Sequence, residues 1–231
     1  MPSAQKRGRI PSSFRAKQGV FRLSPLRLAL MMGILAFGVA TFYIGYSWYS
    51  QKIWGVPSQV NEFLDKKDIT TLGEKGFPIY TGSNPPDITG KYYIAPWTVH
   101  FDSGNVFPVG TEIDKTYYRF FNQKRDGKVD VEYYTENAGE TGSGIGSFIS
   151  GEGNCFTIFT EQKGVIEGCN HKAPFVVSGC LTEKGIANWT LSNIMKWQED
   201  TQTCKEVAMP VGNVRIIIED DKLAEKVVDE K

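Results

Sequence analysis

Two histidines and a set of carboxylates are the residues of this chain whose types could do catalytic chemistry. His100 lies in Thr-Val-His-Phe-Asp, at an expected strand end, and His171 lies in Asn-His-Lys, an expected turn. Nucleophilic catalysis needs a base beside a serine or cysteine, and neither histidine lies in a recognisable motif of that kind. Paired carboxylates can cleave glycosidic bonds. Solvated charges on an outer strand face are the commoner explanation for the acidic residues, which are Asp130, Glu132, Glu136, Glu161 and Glu167. We therefore expect no enzyme, no catalytic residue and no cofactor.

A glycine-rich segment, Gly142-Ser-Gly-Ile-Gly-Ser147, is the second feature that could carry chemistry. A phosphate-binding loop needs a preceding parallel strand, a following helix and a Gly-Lys-Ser/Thr ending, and the sequence offers none of these. Glycines inside strands more often mark bulges, barrel corners or close backbone approach. The segment is therefore predicted to shape a sheet.

The N-terminal part of the chain has the pattern of a membrane anchor. Residues 28–46 contain no charge and no proline, and the residues before them carry seven Lys and Arg but no Asp or Glu. A helix rises about 1.5 Å per residue, so this run reaches roughly 28 Å, close to the hydrocarbon thickness of a bilayer. Aromatic residues crowd its end and leave no small-residue cleavage site. We expect a cytoplasmic tail at 1–27 and an uncleaved signal anchor at 28–49. They would leave the remaining chain on the periplasmic side of a bacterial inner membrane.

The charge balance of the displayed part excludes one class of partner. The whole chain has 26 Lys and Arg against 26 Asp and Glu, and removing the seven basic residues of the tail leaves 19 against 26. Nucleic-acid binding needs a basic face to neutralise phosphates. We therefore expect the lipid bilayer, through 28–49, as a partner and no nucleic acid.

All four cysteines, Cys155, Cys169, Cys180 and Cys204, fall in the displayed part. An even number of cysteines outside the cytoplasm favours disulfides. A metal site is disfavoured because the spacing contains no C-x-x-C pair. Three pairings are open, and we expect Cys155–Cys169 with Cys180–Cys204, each tying neighbouring strands.

The element pattern changes from helical to strand-like along the displayed part. Residues 56–66 have helical spacing, and Asp68 or Thr70 could cap a second turn at 72–75, which together predict a helical stalk at 50–76. From Ile88 onward the period is two, which predicts an all-β domain at 77–219. The fold class is an antiparallel barrel or sandwich of eight or nine strands. The charged tail 220–231 is expected to form a loose helix or to fray. The predicted strands are 88–97, 114–122, 128–135, 145–150, 155–161, 164–170, 175–182, 186–197 and 213–219.

Aromatic residues crowd the first half of the β domain, often in adjacent pairs. Adjacent strand residues point to opposite faces, so one ring of each pair fills the core and the other faces water, a ligand or a partner. Strand propensity alone explains such a composition equally well. The outward set that we expect to bind a ligand or partner is Tyr93, Tyr118, Phe121 and Tyr134.

The segment Asp87-Ile-Thr-Gly90-Lys-Tyr92-Tyr93 resembles the opening Gly-x-Trp segment of lipocalins and related calycin barrels, with Tyr92 at the tryptophan position. The resemblance implies a ligand-holding barrel in which an arginine of the last strand packs over that ring. Arg215 is the candidate for this closing residue. The preceding stretch, with Asn84-Pro-Pro86, is similar to the start of bacterial envelope proteins.

Two function hypotheses follow. The first is a membrane-anchored, non-catalytic binding module that holds a small apolar or amphipathic ligand inside the barrel. The second is a structural or assembly protein of the cell envelope, in which exposed aromatic residues dock a partner protein.

Overall fold

The structure is a computed structural model that describes residues 56–137 and 139–228, together with residues 34, 37–39 and 41. The chain divides into two compact units, Met1–Tyr49 and Ser50–Lys231. The few described residues of the first unit are helical. Within the described residues no helix is both long and apolar enough to cross a membrane. Most of the predicted anchor at 28–49, and all of the tail at 1–27, lie outside the described residues, so the anchor stays a prediction.

Strands dominate the described part of the second unit. In chain order, the elements are a 3₁₀ helix at Ser58–Glu62, α1 at Lys66–Glu74, β1 at Ser83–Asn84, β2 at Gly90–Ile94, β3 at Trp97–Asp102, β4 at Glu112–Ile113, β5 at Thr116–Phe121, β6 at Lys128–Thr135, β7 at Thr141–Glu152, β8 at Cys155–Ile166, β9 at Cys169–Leu181, β10 at Gly185–Ile194, β11 at Trp197–Gln198, α2 at Gln202–Val207, β12 at Val214–Glu219 and β13 at Leu223–Val227.

Eight of these strands close into an antiparallel barrel. The ring runs β9-β8-β7-β6-β5-β2-β13-β10, and β10 pairs back onto β9. β12, β3 and β4 leave the ring at β10 as an extension, while β1 lies parallel to β7 and β11 pairs with β9. The all-β class and the antiparallel barrel are thus confirmed, and a sandwich is not formed.

Strand alternation placed β6 correctly. Val129, Val131 and Tyr133 face the barrel core, and the residues between them lie on the outer face.

Two other strand predictions were wrong. The predicted strand 88–97 is split into β2 and β3 around Pro96, because proline cannot donate to a strand ladder. The predicted strand 164–170 spans the β8–β9 turn, where Glu167 and Gly168 have positive φ angles of 47° and 83°.

The segment predicted as a stalk packs against the β domain. Val60, Leu64 and Leu72 are fully buried in a second apolar cluster, which also contains Phe159 of β8 and Val176 of β9. This cluster lies on the outer face of the barrel, because β8 and β9 turn their alternate residues inward.

Helix α1 begins one turn earlier than the sequence predicted. Its cap is Asp65, which accepts the Asp68 backbone N–H, while the Asp68 side chain accepts the Asp65 N–H in a capping box. Asp68 therefore lies inside the first turn, and the predicted cap at Asp68 or Thr70 was wrong.

Two disulfides confirm the oxidised cysteines but correct their pairing. The bonds are Cys155–Cys180 and Cys169–Cys204. Cys155 and Cys180 are register partners because β8 and β9 form one long hairpin. Cys169 lies at the start of β9, where it fixes α2 through Cys204. The expected pairs Cys155–Cys169 and Cys180–Cys204 join opposite ends of that hairpin and are not formed.

The charged C-terminal segment is part of the barrel. β13, at Leu223–Val227, lies between β2 and β10 and closes the ring, with Ala224 fully buried. The expected loose helix or frayed end at 220–231 was wrong for residues 223–227, because these residues pair with β10 on one side and β2 on the other.

Candidate binding site

Aromatic rings fill the middle of the barrel. Tyr118 lies at the centre of the group, with ring centroids 5.1 Å from Trp189 and 5.4 Å from Tyr133, and Tyr133 lies 5.7 Å from Phe175. Burial raises the pKa of the Tyr118 and Tyr133 phenols well above their usual range, and the charge of Glu140 raises both further. The phenols are therefore neutral at physiological pH.

A cavity of about 220 Å³ remains at the end of the barrel that carries the β6–β7 and β8–β9 turns. We call it the mouth cavity. Its volume equals that of about seven water molecules at about 30 Å³ each. The extension β12-β3-β4 supplies one wall and the barrel interior supplies the other. Most of the lining is apolar or aromatic, from Trp97, Phe107, Ile113, Tyr118, Tyr133, Phe175, Leu191 and Ile217, and four of the polar residues are Thr135, Glu140, Asn193 and Arg215.

Arg215 is the basic residue in the lining of the mouth cavity, which also contains the carboxylates of Glu112, Asp114 and Glu140. Its Nε donates to Asp102 Oδ2 at 2.8 Å, and the Phe107 ring centroid lies 4.2 Å from the guanidinium carbon. Asp102 is held in turn by the backbone N–H groups of Gly104 at 2.8 Å and Phe107 at 3.3 Å. Burial lowers the pKa of Arg215, and the Asp102 carboxylate opposes that shift, so the side chain remains a cation. Its Nη2 is buried without a hydrogen-bond partner.

Asn193 supplies the second unsatisfied polar group of this cavity. Its Oδ1 is buried and accepts no hydrogen bond. Tyr133, by contrast, donates its hydroxyl to Glu140 Oε1 at 2.7 Å. The cavity thus offers one unused donor, on Arg215, and one unused acceptor, on Asn193. An unpaired buried polar group costs about 1–3 kcal/mol, so a bound molecule that supplies both partners gains that energy.

The closing pair implied by the lipocalin resemblance is not formed. Tyr92 lies inside the barrel, its hydroxyl donates to the Ile88 carbonyl at 2.9 Å, and its ring faces Phe120. Burial raises the pKa of Tyr92 to about 12. Arg215 instead covers Phe107, because β12 belongs to the extension and not to the ring of eight strands. Arg215 is therefore a residue of the cavity wall.

Three of the four predicted outward aromatic residues do lie on the outer face. Tyr93 packs on Tyr117 with ring centroids 5.1 Å apart, Phe121 lies under the Arg119 guanidinium, and Tyr134 is 49% exposed. Tyr118 was placed wrongly, since it is 1% exposed at the centre of the core. A period of two cannot place both Tyr118 and Phe121 outside, because they are three residues apart on one strand.

The histidines do not form a catalytic pair with a carboxylate. His100 is exposed on β3. His171 is buried, and its Nε2 lies 4.0 Å from Glu140 Oε1, which is too long for a hydrogen bond. Across residues 56–137 and 139–228, no group of three or more His, Cys, Asp and Glu side chains is arranged to hold a metal ion.

The sequence did not point to Asp102, Phe107 or Asn193. Asp102 and Arg215 are 113 residues apart and meet only because β3 pairs with β12. The available signal was a basic residue inside an apolar strand, Arg215 in β12, and an acidic residue at the end of β3. No family model, no curated protein and no solved structure matches this chain.

Proposed function

We propose that this protein is a membrane-anchored, periplasmic binding module that performs no catalysis and takes a small amphipathic ligand in the mouth cavity. One observation carries the proposal: a cavity with mainly apolar and aromatic walls contains a buried arginine nitrogen and a buried amide oxygen that have no partners. Binding sites usually combine apolar walls with a few convergent polar groups of this kind. The anchor at 28–49 is the sequence-based part of the proposal.

The cavity favours a short molecule with an acidic head. The cationic Arg215 attracts a carboxylate, and the Asn193 amide oxygen accepts a hydrogen bond from a hydroxyl or a protonated acid. The apolar body would lie against Ile113, Leu191 and Ile217. A volume near 220 Å³ is smaller than sites for drug-sized ligands, which span about 300–1,000 Å³, and it favours a short apolar chain. A short-chain carboxylate is the simplest molecule of this type.

The binding test uses the full chain in phospholipid nanodiscs and isothermal titration calorimetry. Hexanoate is the probe, hexan-1-ol has the same apolar body without the charge, and empty nanodiscs correct for partitioning. We expect hexanoate to bind at least tenfold more tightly than hexan-1-ol, because only the acid can pair with Arg215. Equal binding of the two, or no binding of either, would count against the proposal.

A cavity-filling variant locates the site without disturbing the ion pair. Ile113→Trp places a large ring in the cavity from the short edge strand β4, where Ile113 is only partly buried. Ile145→Trp is the matched control, because Ile145 is 76% exposed and does not line the cavity. We expect Ile113→Trp to abolish hexanoate binding and Ile145→Trp to retain it. Retention in both variants would place the ligand elsewhere.

The rival function, docking of an envelope protein, is favoured by one observation. Tyr134 is half exposed on the outer face of β6. Its register partner is Tyr117, and the Tyr93 ring packs on Tyr117. A photocrosslinker at Tyr134 in intact membranes tests this function, with the same group at Ile145 as the control position. A protein adduct at Tyr134 alone supports docking, and equal labelling at both positions argues against it.

A further inference from the structure

A cleft of about 890 Å³ lies on the outside of the barrel over β2, β5 to β9 and β11. We call it the outer cleft. Gly142 and Gly164, which are register partners on β7 and β8, line it. A side chain at Gly142 would collide with the Tyr133 ring, and a Cβ at Gly164 would lie 2.7 Å from His171 Cε1. A Cβ at either glycine would therefore point into the core, and the floor of the cleft at these two positions is backbone.

Strand register places a row of charged residues across this cleft. Consecutive cross-strand partners run Lys91, Arg119, Glu132, Ser143, Lys163, Lys172 and Trp197. Arg119 already pairs with Glu132 at 2.9 Å, and the Lys91 ammonium lies 4.7 Å from the Tyr117 ring centroid. The charged groups at this end of the row therefore already have partners within the protein.

Lys163 and Lys172, at the other end, repel each other. They are direct register partners on β8 and β9, and among residues 56–137 and 139–228 no carboxylate lies within ion-pair distance of either. Like charges directly opposite on neighbouring strands destabilise a sheet. A bound anion between the two ammonium groups removes that cost and supplies the missing partner.

Flat and polar groups surround the two lysines. Trp197, the register partner of Lys172, is 47% exposed, and Tyr134 and Val165 are also exposed within the cleft. An aromatic face carries negative charge density and attracts the polarised C–H groups of a saturated ring that bears hydroxyls. Ser143, beside Lys163, adds a hydroxyl that can donate or accept.

We propose that the outer cleft binds an acidic saccharide chain, with a carboxylate between Lys163 and Lys172 and a sugar ring on Trp197. A peptide gains most on a sheet when it pairs with a free strand edge, whereas β5 to β9 under this cleft are already paired on both sides and the edge strand β11 is only two residues long. A nucleic acid carries a phosphate at every nucleotide, whereas the cleft offers Lys163 and Lys172, with Lys91 already over the Tyr117 ring, in an acidic domain. A saccharide with occasional carboxylates matches both the rings and the charge.

The outer cleft and the mouth cavity are separate sites that share one wall residue, Tyr133. Lys163, Lys172 and Trp197 line only the cleft, while Arg215 and Ile113 line only the cavity. The saccharide proposal therefore stands or falls independently of the carboxylate ligand. Ile113→Trp should abolish hexanoate binding and leave saccharide binding unchanged.

The test titrates the full chain in nanodiscs with tetragalacturonate, and with maltotetraose as a neutral chain of equal length. We expect tetragalacturonate to bind at least tenfold more tightly, with an affinity that falls as salt is added. Equal binding of the two saccharides, or no binding of either, would overturn the proposal. Tighter binding of hexaglutamate would overturn it in favour of an acidic peptide.

Two variants separate recognition from structure. Lys163→Gln with Lys172→Gln should weaken tetragalacturonate about tenfold or more and leave maltotetraose unchanged. Lys124→Gln with Lys184→Gln, which removes two exposed lysines outside the cleft, should change neither. The first double variant should also keep or raise its melting temperature, because it removes a like-charge pair. Unaltered tetragalacturonate binding in the first double variant contradicts the proposed site.

Discussion

Replacing Arg215 by methionine tests whether the two charges of its buried ion pair with Asp102 stabilise the fold together. The Asp102 side chain is 1% exposed and the Arg215 side chain is 10% exposed. Removing one partner of a buried pair costs about 3–5 kcal/mol, because the other charge is left uncompensated. Asp102 keeps the backbone donors of Gly104 and Phe107, so we expect the lower end of that range, about 3 kcal/mol.

The loss is expected to come from charge and not from packing. Methionine fills much of the arginine volume and makes favourable contacts with a ring such as Phe107. If this is correct, Asp102→Asn combined with Arg215→Met removes both charges and costs less than the sum of the two single variants. We expect a coupling energy of about 2 kcal/mol, within the range seen for side chains in direct contact.

Urea denaturation of the full chain in detergent micelles, followed by tryptophan fluorescence, measures these free energies. For a domain of this size, a loss of 3 kcal/mol lowers the melting temperature by about 6–12 °C. Arg119→Met is the matched control, because its ion pair with Glu132 is exposed and worth at most about 1 kcal/mol. Additive single variants, or equal losses for Arg215→Met and Arg119→Met, would refute the reasoning.

Three further predictions concern other parts of the barrel. Burial and a hydrogen bond with Asp221 raise the pKa of Glu219 from 4.5 to about 7. As pH rises between these values, ionisation of Glu219 therefore destabilises the folded state. Glu219→Gln removes this loss, so the free energy of unfolding of the variant relative to the parent chain should be about 1–2 kcal/mol higher at pH 8 than at pH 4.5, measured by urea titration. Replacing Cys169 and Cys204 together by alanine should cost about 2–4 kcal/mol and release α2, seen as new tryptic cleavage at Lys205. Gly164→Ala should cost about 1–3 kcal/mol through its clash with the His171 ring, whereas Gly73→Ala in α1 meets nothing within 4 Å and should stabilise by about 0.5–1 kcal/mol, both measured by thermal melting.

Local patterns predicted strands well wherever one face is wet. β6 alternates cleanly because its outer residues are charged or solvated, and its bounds were predicted correctly. β9 failed this test in its later part, from Phe175 onward, where apolar and small residues occupy both faces. Its outer face there packs under the second apolar cluster through Val176, so no alternation marks where the strand ends. Hydrophobicity alternates with a period of two only when one face of the strand is buried and the other is exposed. The alternation disappears when both faces are buried.

The disulfide pairing shows a different limit. The sequence predicted bonds between cysteines that are close along the chain, and the two observed bonds span 25 and 35 residues. The pairing follows from the length of the β8–β9 hairpin, which carries Cys155 and Cys180 to the same register position. That length depends on how far the ladder extends beyond Glu161. Residues 162–163 resemble an ordinary turn, so the local pattern predicted that the strand ends at Glu161.

The mouth cavity arises from a change of partner in the middle of one strand. β10 pairs with β13 over residues 185–187 and with β12 over residues 190–194, and its register shifts between Ala187 and Thr190. Asn188 adopts a positive φ of 53° at this shift, which asparagine tolerates better than most residues. Over residues 190–194, the neighbour of β10 is therefore β12 and not the ring strand β13. The face of β12 that carries Arg215 and Ile217 forms a wall across this end of the barrel. A barrel whose eighth strand ran the full length of β10 would have no place for Arg215 in its interior. The position of the charge in the cavity therefore depends on tertiary pairing. The local sequence Asn213-Val-Arg-Ile-Ile led to the wrong prediction that Arg215 packs over the Tyr92 side chain, whereas it packs over Phe107.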